Sequence, residues 1–144
     1  MRYDEAYTVL HYTHNPAQAL LFYNLPNNHL LHSFLVWISR NTLGLTPTAV
    51  RIPAFAAGIL TLAMTYRITR RLVSHRAGLV ALSLVAVSKS LGDYVVNARG
   101  YTLTLLFSLL LFDLLFLQRR IRAMAILAVC MGAMLTMPSM AVPI

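Results

Sequence analysis

Two carboxylates stand side by side near the start of the chain, Asp4 and Glu5, and they make up half of its four acidic residues. Such a pair offers two kinds of chemistry. One carboxylate can act as a general base that takes a proton from an acceptor hydroxyl, or the pair can ligate a divalent cation. A solvated loop pair with no role is the competing reading, and residue types alone leave the two balanced. A second group gathers at 89–101: Lys89, Asp93, Tyr94, Asn97, Arg99 and Tyr101. Arg99 carries a planar fork of N–H donors that can grip two phosphate oxygens at once. Lys89 and Asp93, four apart, share a helix face and can instead pair with each other. Lys89 and Arg99 can also simply reach for lipid headgroups. Four histidines form two pairs at a spacing of three, His11 with His14 and His29 with His32. That spacing can bring two imidazoles to one metal ion, but polar-face or capping histidines are the simpler reading and no metal ligand is assigned.

The elements that must position these groups are apolar. The chain is 58% hydrophobic and 11% charged, with mean hydropathy +0.67, whereas soluble domains carry roughly a quarter charged residues. The fold class read from this is an all-α membrane protein with about four transmembrane helices, at 49–69, 77–96, 101–117 and 123–140. An outer loop with short amphipathic juxtamembrane helices, at 1–48, precedes them. Within it, Asn15-Pro16 is a helix start followed by a brief helix at 17–23, Leu25-Pro26 ends that helix, and Asn27 or Asn28 caps the next. At 29–43, Leu30, Leu31, Phe34, Leu35 and Ile38 recur at helical spacing, while His29, His32, Ser33 and Arg40 fall on the other side. Together with Trp37 this reads as a helix lying on the membrane surface. Pro53 falls in the first turn of the first span, where a missing N–H costs little.

The net charge of +8 does not point to nucleic acid, because the arginines cluster between apolar runs as membrane topology demands. Arg67, Arg70, Arg71 and Arg76 fall between the first two spans, and Arg119, Arg120 and Arg122 between the last two. The positive-inside rule makes both links cytoplasmic and sets Asp4, Glu5 and the 97–101 turn together on the outer face. Asp113, near the inner end of its span, is expected to pair with Arg119 or Arg120. Cys130 reads as a small core residue.

The series Tyr3-Asp4-Glu5-Ala6-Tyr7, Leu25-Pro26-Asn27-Asn28-His29-Leu30-Leu31-His32, Arg51-Ile52-Pro53 and Asn97-Ala98-Arg99-Gly100-Tyr101-Thr102-Leu103 covers nearly the whole chain. In this order it resembles the membrane-embedded C-type glycosyltransferases of the protein mannosyltransferase and aminoarabinose transferase superfamily. The resemblance implies a multi-pass enzyme of the bacterial inner (plasma) membrane. Such an enzyme moves a sugar from a polyprenyl-phosphate donor to a lipid, protein or glycan acceptor at the outer face. It also implies Asp4 as the catalytic base with Glu5 beside it, and Arg99 on the donor phosphate with Lys89 and Tyr101 near. Asn28 and His29 would line the cavity, and a divalent cation near Asp4 would be the one cofactor. Donor and membrane lipids are the implied partners, with no nucleic acid. Relatives often carry an acidic residue where this chain has Asn97. They also place a span before the acidic pair and continue past Pro143-Ile144. The reading therefore expects an N-terminal part of a longer domain, with an apolar stretch of about 20 residues upstream of Met1. The alternative is a non-catalytic polytopic protein or transporter piece. That would spread polar residues along span interiors, whereas here they gather at the outer ends.

Overall fold

Thr46 starts the longest element. Its hydroxyl accepts the N–H of Ala49 at 3.1 Å, and Pro47, whose missing N–H costs nothing at a first helical position, opens α4 (Pro47–Leu72). Twenty-six residues at about 1.5 Å each reach roughly 39 Å, enough for a ~30 Å hydrocarbon core. The computed structural model describes residues 3–21, 28–97, 99–117 and 123–137, and their side chains except at 3–5, 18, 20 and 21. Every regular element among these residues is helical. Before α4 come α1 (Tyr3–Tyr12), α2 (Pro16–Leu21) and α3 (Leu30–Leu43). After it come α5 (His75–Ala86), α6 (Lys89–Val95), α7 (Tyr101–Phe112) and α8 (Ala123–Thr136). A π-helical turn, Asp113–Leu117, prolongs α7.

Among the described residues α4 alone is long and apolar enough to cross a membrane, or two spans if α5 and α6 count as one broken helix. The stretch expected as a continuous second span is bent by 63° at Val87–Ser88. Ser88 explains the break. Its hydroxyl donates to Val85 O at 2.8 Å and accepts the N–H of Leu91 at 3.4 Å, so one side chain closes α5 and caps α6. The third apolar stretch runs 17 residues, 12 α-helical and 5 π-helical, and α8 runs 14. The first span also extends to Leu72, which draws Arg67, Arg70 and Arg71 out of the expected link and into the last turns of a helix.

Burial runs inside out. His32, Ser33, Asn28, Thr61, Thr102 and Thr136 are buried to 1% exposure or less, whereas Val87, Phe116 and Met124 are exposed by more than 70%. A water-soluble chain hides apolar side chains first. This one encloses many polar groups and leaves apolar surface outside, the distribution that suits lipid. α3 shows the consequence most clearly. The face with His32 and Ser33, expected to meet water, is buried against the protein, and Ile38 from the apolar face is exposed. Nor does Asn28 cap that helix. His29 holds the capping position without a side-chain cap, and Asn28 Oδ1 instead accepts Ser33 Oγ–H at 2.7 Å.

α4 is the scaffold. Ala54, Ala57, Gly58 and Thr61 are buried on one face at helical spacing, and such small residues let neighbouring helices approach closely. Ala57 packs with Leu103 and Leu106 of α7, and Leu35 of α3 joins them. α2 begins at Pro16 as its Asn-Pro start predicts. α1 occupies sequence expected as loop, and Val9 clusters there with Val36 of α3 and Val50 of α4.

Candidate functional site at the start of α3 and the 97–101 turn

The chemistry-bearing residues near 28 and near 100 meet because three helix ends converge. α8 finishes at Thr136, so the Thr136 carbonyl has no partner within its own helix. His29 supplies one: its Nδ1 donates to that oxygen at 3.1 Å. A carbonyl only accepts, so Nδ1 carries the hydrogen, and in the neutral ring Nε2 holds the lone pair. Burial pushes the His29 imidazole below its ordinary value of 6.5; the Thr136 hydrogen bond opposes this and the positive charge of Arg99 reinforces it. His29 is thus a neutral ring clamped between the start of α3 and the end of α8.

Tyr101, the first residue of α7, stands edge-on to that ring with centroids 5.1 Å apart. On its other side Tyr94 of α6 approaches to 4.9 Å. The Tyr101 hydroxyl accepts Arg99 Nη1–H at 3.2 Å, and the guanidinium carbon lies 5.7 Å from the same ring. Arg99, partly buried, is therefore held on a short leash over an aromatic surface. Gly100 lets the turn close. A Cβ there would lie 2.8 Å from Thr136 Cγ2 and 2.9 Å from His29 Cβ. Flanking the turn, Asn97 Oδ1 and Thr102 Oγ1 are buried with no hydrogen-bond partner among the described residues. Each such atom costs about 1–3 kcal/mol unless a polar group meets it.

Two cavities are lined by residues that flank the 97–102 segment, Val96 in one and Leu103 in the other. One, of about 300 Å³, lies between the start of α4 and the end of α6 and is lined by Arg51, Ile52, Phe55, Val95 and Val96. The other is an apolar groove of about 400 Å³ between α3, α4 and α7, lined by Leu35, Ile38, Pro53, Leu60 and Leu103 among others. Ile52 borders both.

Of the residues expected from sequence, Asn28, His29, Arg99 and Tyr101 come together. Lys89 opens α6 on an exposed position. Asp4 and Glu5 belong to the first turn of α1, not to a loop. Val9 clusters with Val36, and Thr13 accepts Arg40 Nη1–H at 3.1 Å. These contacts follow in the same order along α1 and α3, so the start of α1 lies toward the start of α3. His11 stacks on Tyr7 at 4.3 Å while His14 follows the end of α1, so that pair does not share a helix face. Among the described residues no three His, Cys, Asp or Glu side chains are grouped to hold a metal ion. Sequence reasoning missed Thr136, Gly100 and Ser33. Thr136 acts through its backbone, and the one signal for it is the end of an apolar helix just before Pro138.

The family model that describes dolichyl-phosphate-mannose-protein mannosyltransferases matches residues 27–144. The match takes in Asn28, His29, Lys89, Arg99 and Tyr101 and begins after Asp4 and Glu5. No curated protein and no solved structure matches the chain.

Proposed function

The chain belongs to the dolichyl-phosphate-mannose-protein mannosyltransferase family, and from that premise we propose that it transfers a sugar from a polyprenyl-phosphate donor to a lipid, protein or glycan acceptor. In this reading it is a multi-pass protein of the bacterial inner membrane with four spans, and its site opens on the outer face. The observation that carries the proposal is the convergence of two matched segments, 28–29 and 97–102, around one arginine leashed to Tyr101.

Arg99 grips the donor phosphate through its planar guanidinium, a charge-assisted contact of the stronger kind. The apolar groove ending at Ile52 suits the first isoprene units, and the Arg51 cavity beside it suits the phosphate end of the same molecule. His29, neutral and fixed, shapes the wall without adding a second positive charge. The base is assigned to a carboxylate of α1: Asp4 takes the acceptor's hydroxyl proton, with Glu5 its neighbour. The acceptor oxygen then bonds to the anomeric carbon. The bond from that carbon to the phosphate oxygen breaks with inversion, and polyprenyl phosphate leaves with the electron pair.

Lys89 assists as a positive charge at the rim. A positioned base is worth roughly 10²–10⁴-fold in rate. Membranes carrying the Asp4→Asn protein and supplied with polyprenyl-phosphate sugar are expected to lose transfer by at least about 100-fold. Transfer at the unaltered rate would remove Asp4 from the mechanism.

A further inference from the structure

At the far end of α4 a polar cavity, of about 360 Å³, is lined by Tyr66, Arg67, Arg70 and Arg71. Its volume is roughly ten times a water molecule's ~30 Å³ share of the liquid. Asp113, in the π-helical turn, is buried and takes one hydrogen bond from each of two arginines. Arg67 Nη2 donates to Oδ2 at 3.3 Å and Arg71 Nη1 donates to Oδ1 at 3.0 Å. Each guanidinium has five N–H donors, so most face elsewhere. Both side chains remain nearly half exposed. Arg70 has no hydrogen bond or ion pair among the described residues. Positive-inside placement accounts for arginines at a helix end, but not for three of them around one cavity, two with their orientation fixed by a buried carboxylate.

We infer that this cavity binds the phosphate of an anionic phospholipid headgroup. Twelve residues separate Tyr101 from Asp113 along α7 and its π turn, about 18 Å at 1.5 Å per residue, so this site is separate from the Arg99 turn. Ser74, His75 and Arg76 are exposed between the end of α4 and the start of α5, and so are the apolar Leu72, Val73, Leu79 and Val80, while Gly78 of α5 lies against the Tyr66 ring. A free phosphate would gain nothing from the apolar side chains, whereas acyl chains would cover them. Tyr66 is itself fixed by a 2.8 Å hydrogen bond between its hydroxyl and His75 Nδ1. Basic pockets at helix ends are a known mode of headgroup recognition. The inference rests on α4 crossing a membrane and not on the sugar-transfer reading.

The test measures binding of short-chain phosphatidylglycerol, matched phosphatidylcholine and inorganic phosphate to the purified full chain in neutral detergent. Phosphatidylglycerol is expected to bind at least about five-fold tighter than phosphatidylcholine, and Arg70→Gln to remove about five-fold of that affinity. Arg76→Gln, which alters a residue outside the cavity lining, is expected to leave it unchanged. Equal affinity for the two lipids on the unaltered protein would overturn the proposal. So would an Arg76→Gln loss as large as that of Arg70→Gln, which would mean a diffuse basic surface. Displacement of the lipid by inorganic phosphate at equal concentration would also overturn it, making this a free-phosphate site.

Discussion

Gly100→Ala tests whether the three helix ends are locked together as described. The glycine sits at φ −72° and ψ 3°, a backbone that alanine adopts freely, so the substitution introduces no dihedral strain. Its effect is purely steric. The new methyl would stand 2.8 Å from Thr136 Cγ2, 2.9 Å from His29 Cβ and 3.0 Å from His29 Cγ, where carbon atoms prefer about 3.5–4.0 Å. Neither neighbour can swing aside cheaply. The Thr136 hydroxyl donates to Gly132 O at 2.7 Å, and the His29 ring is tied to Thr136 O at 3.1 Å. The end of α8 or the start of α3 must therefore shift. Overpacking of this kind costs about 1–3 kcal/mol. Reduced chain entropy in the unfolded state returns about 0.4–1 kcal/mol, leaving a net loss of about 1–2 kcal/mol. Gly92→Ala is the control, because nothing lies within 4 Å of a Cβ there; it sits inside α6 and should gain about 0.5–1 kcal/mol. Unfolding in detergent, followed by labelling of the free thiol Cys130, reads both. Thr136→Ser removes the nearest methyl and is expected to restore part of the Gly100→Ala loss, the coupling expected of residues in contact. A Gly100→Ala protein as stable as Gly92→Ala would refute the packing of the turn against α3 and α8.

His29 predicts a pH dependence. Its folded-state value lies below 6.5, so as pH falls through about 6.5 the unfolded chain takes up the proton first and stability declines. Stability is fully present above that value and lost below it. Thermal unfolding at about pH 7.5 and about pH 5.5 should show the fall, and His29→Gln should flatten it; an equal fall in the variant would assign the effect elsewhere. Tyr101→Phe keeps the ring contacts with His29 and Tyr94 but removes the acceptor of Arg99 Nη1–H. Stability should drop by no more than about 1.5 kcal/mol, while the donor KM rises about 3- to 10-fold with kcat nearly unchanged; an unchanged KM would show that the hydroxyl does not position Arg99.

Local helix chemistry was legible in the sequence where one side chain decides it. The Asn15-Pro16 start follows from a short-range signal; the end of the first span does not, because Arg67, Arg70 and Arg71 read as a charged link and instead occupy the last turns of α4. Ser88 carried a short-range signal as well, but the apolar run continues on both sides of it. Reading for hydropathy therefore joined two helices that its hydroxyl separates. On α3 the expected division into an apolar and a polar face does not set what is buried: His32 and Ser33 are enclosed together with Leu30 and Val36, and Leu35 packs on α7. An amphipathic pattern fixes which residues share a face, and the surrounding helices decide which of them are enclosed. Ser33 is satisfied inside by Asn28. Asp113 was matched to the nearest cations in sequence, Arg119 and Arg120, which lie outside the described residues. The pairing seen is with Arg67 and Arg71, more than 40 positions away, a separation that no periodicity reveals. The candidate site was legible in its side chains through family resemblance, and the contribution of Thr136 was not, because a helix-terminal carbonyl belongs to every sequence alike.

In the proposed reaction Arg99 binds the phosphate of a lipid-linked sugar donor. Sugar transfer in membranes, measured against donor concentration for the unaltered protein, Arg99→Lys and Arg99→Gln, tests it most directly. Loss of a charge-assisted phosphate contact worth about 1.5–3 kcal/mol should raise the donor KM of Arg99→Gln by roughly 10- to 100-fold. Arg99→Lys, which keeps the charge without the fork, should fall between the two. A donor KM in Arg99→Gln equal to that of the unaltered protein would contradict the account.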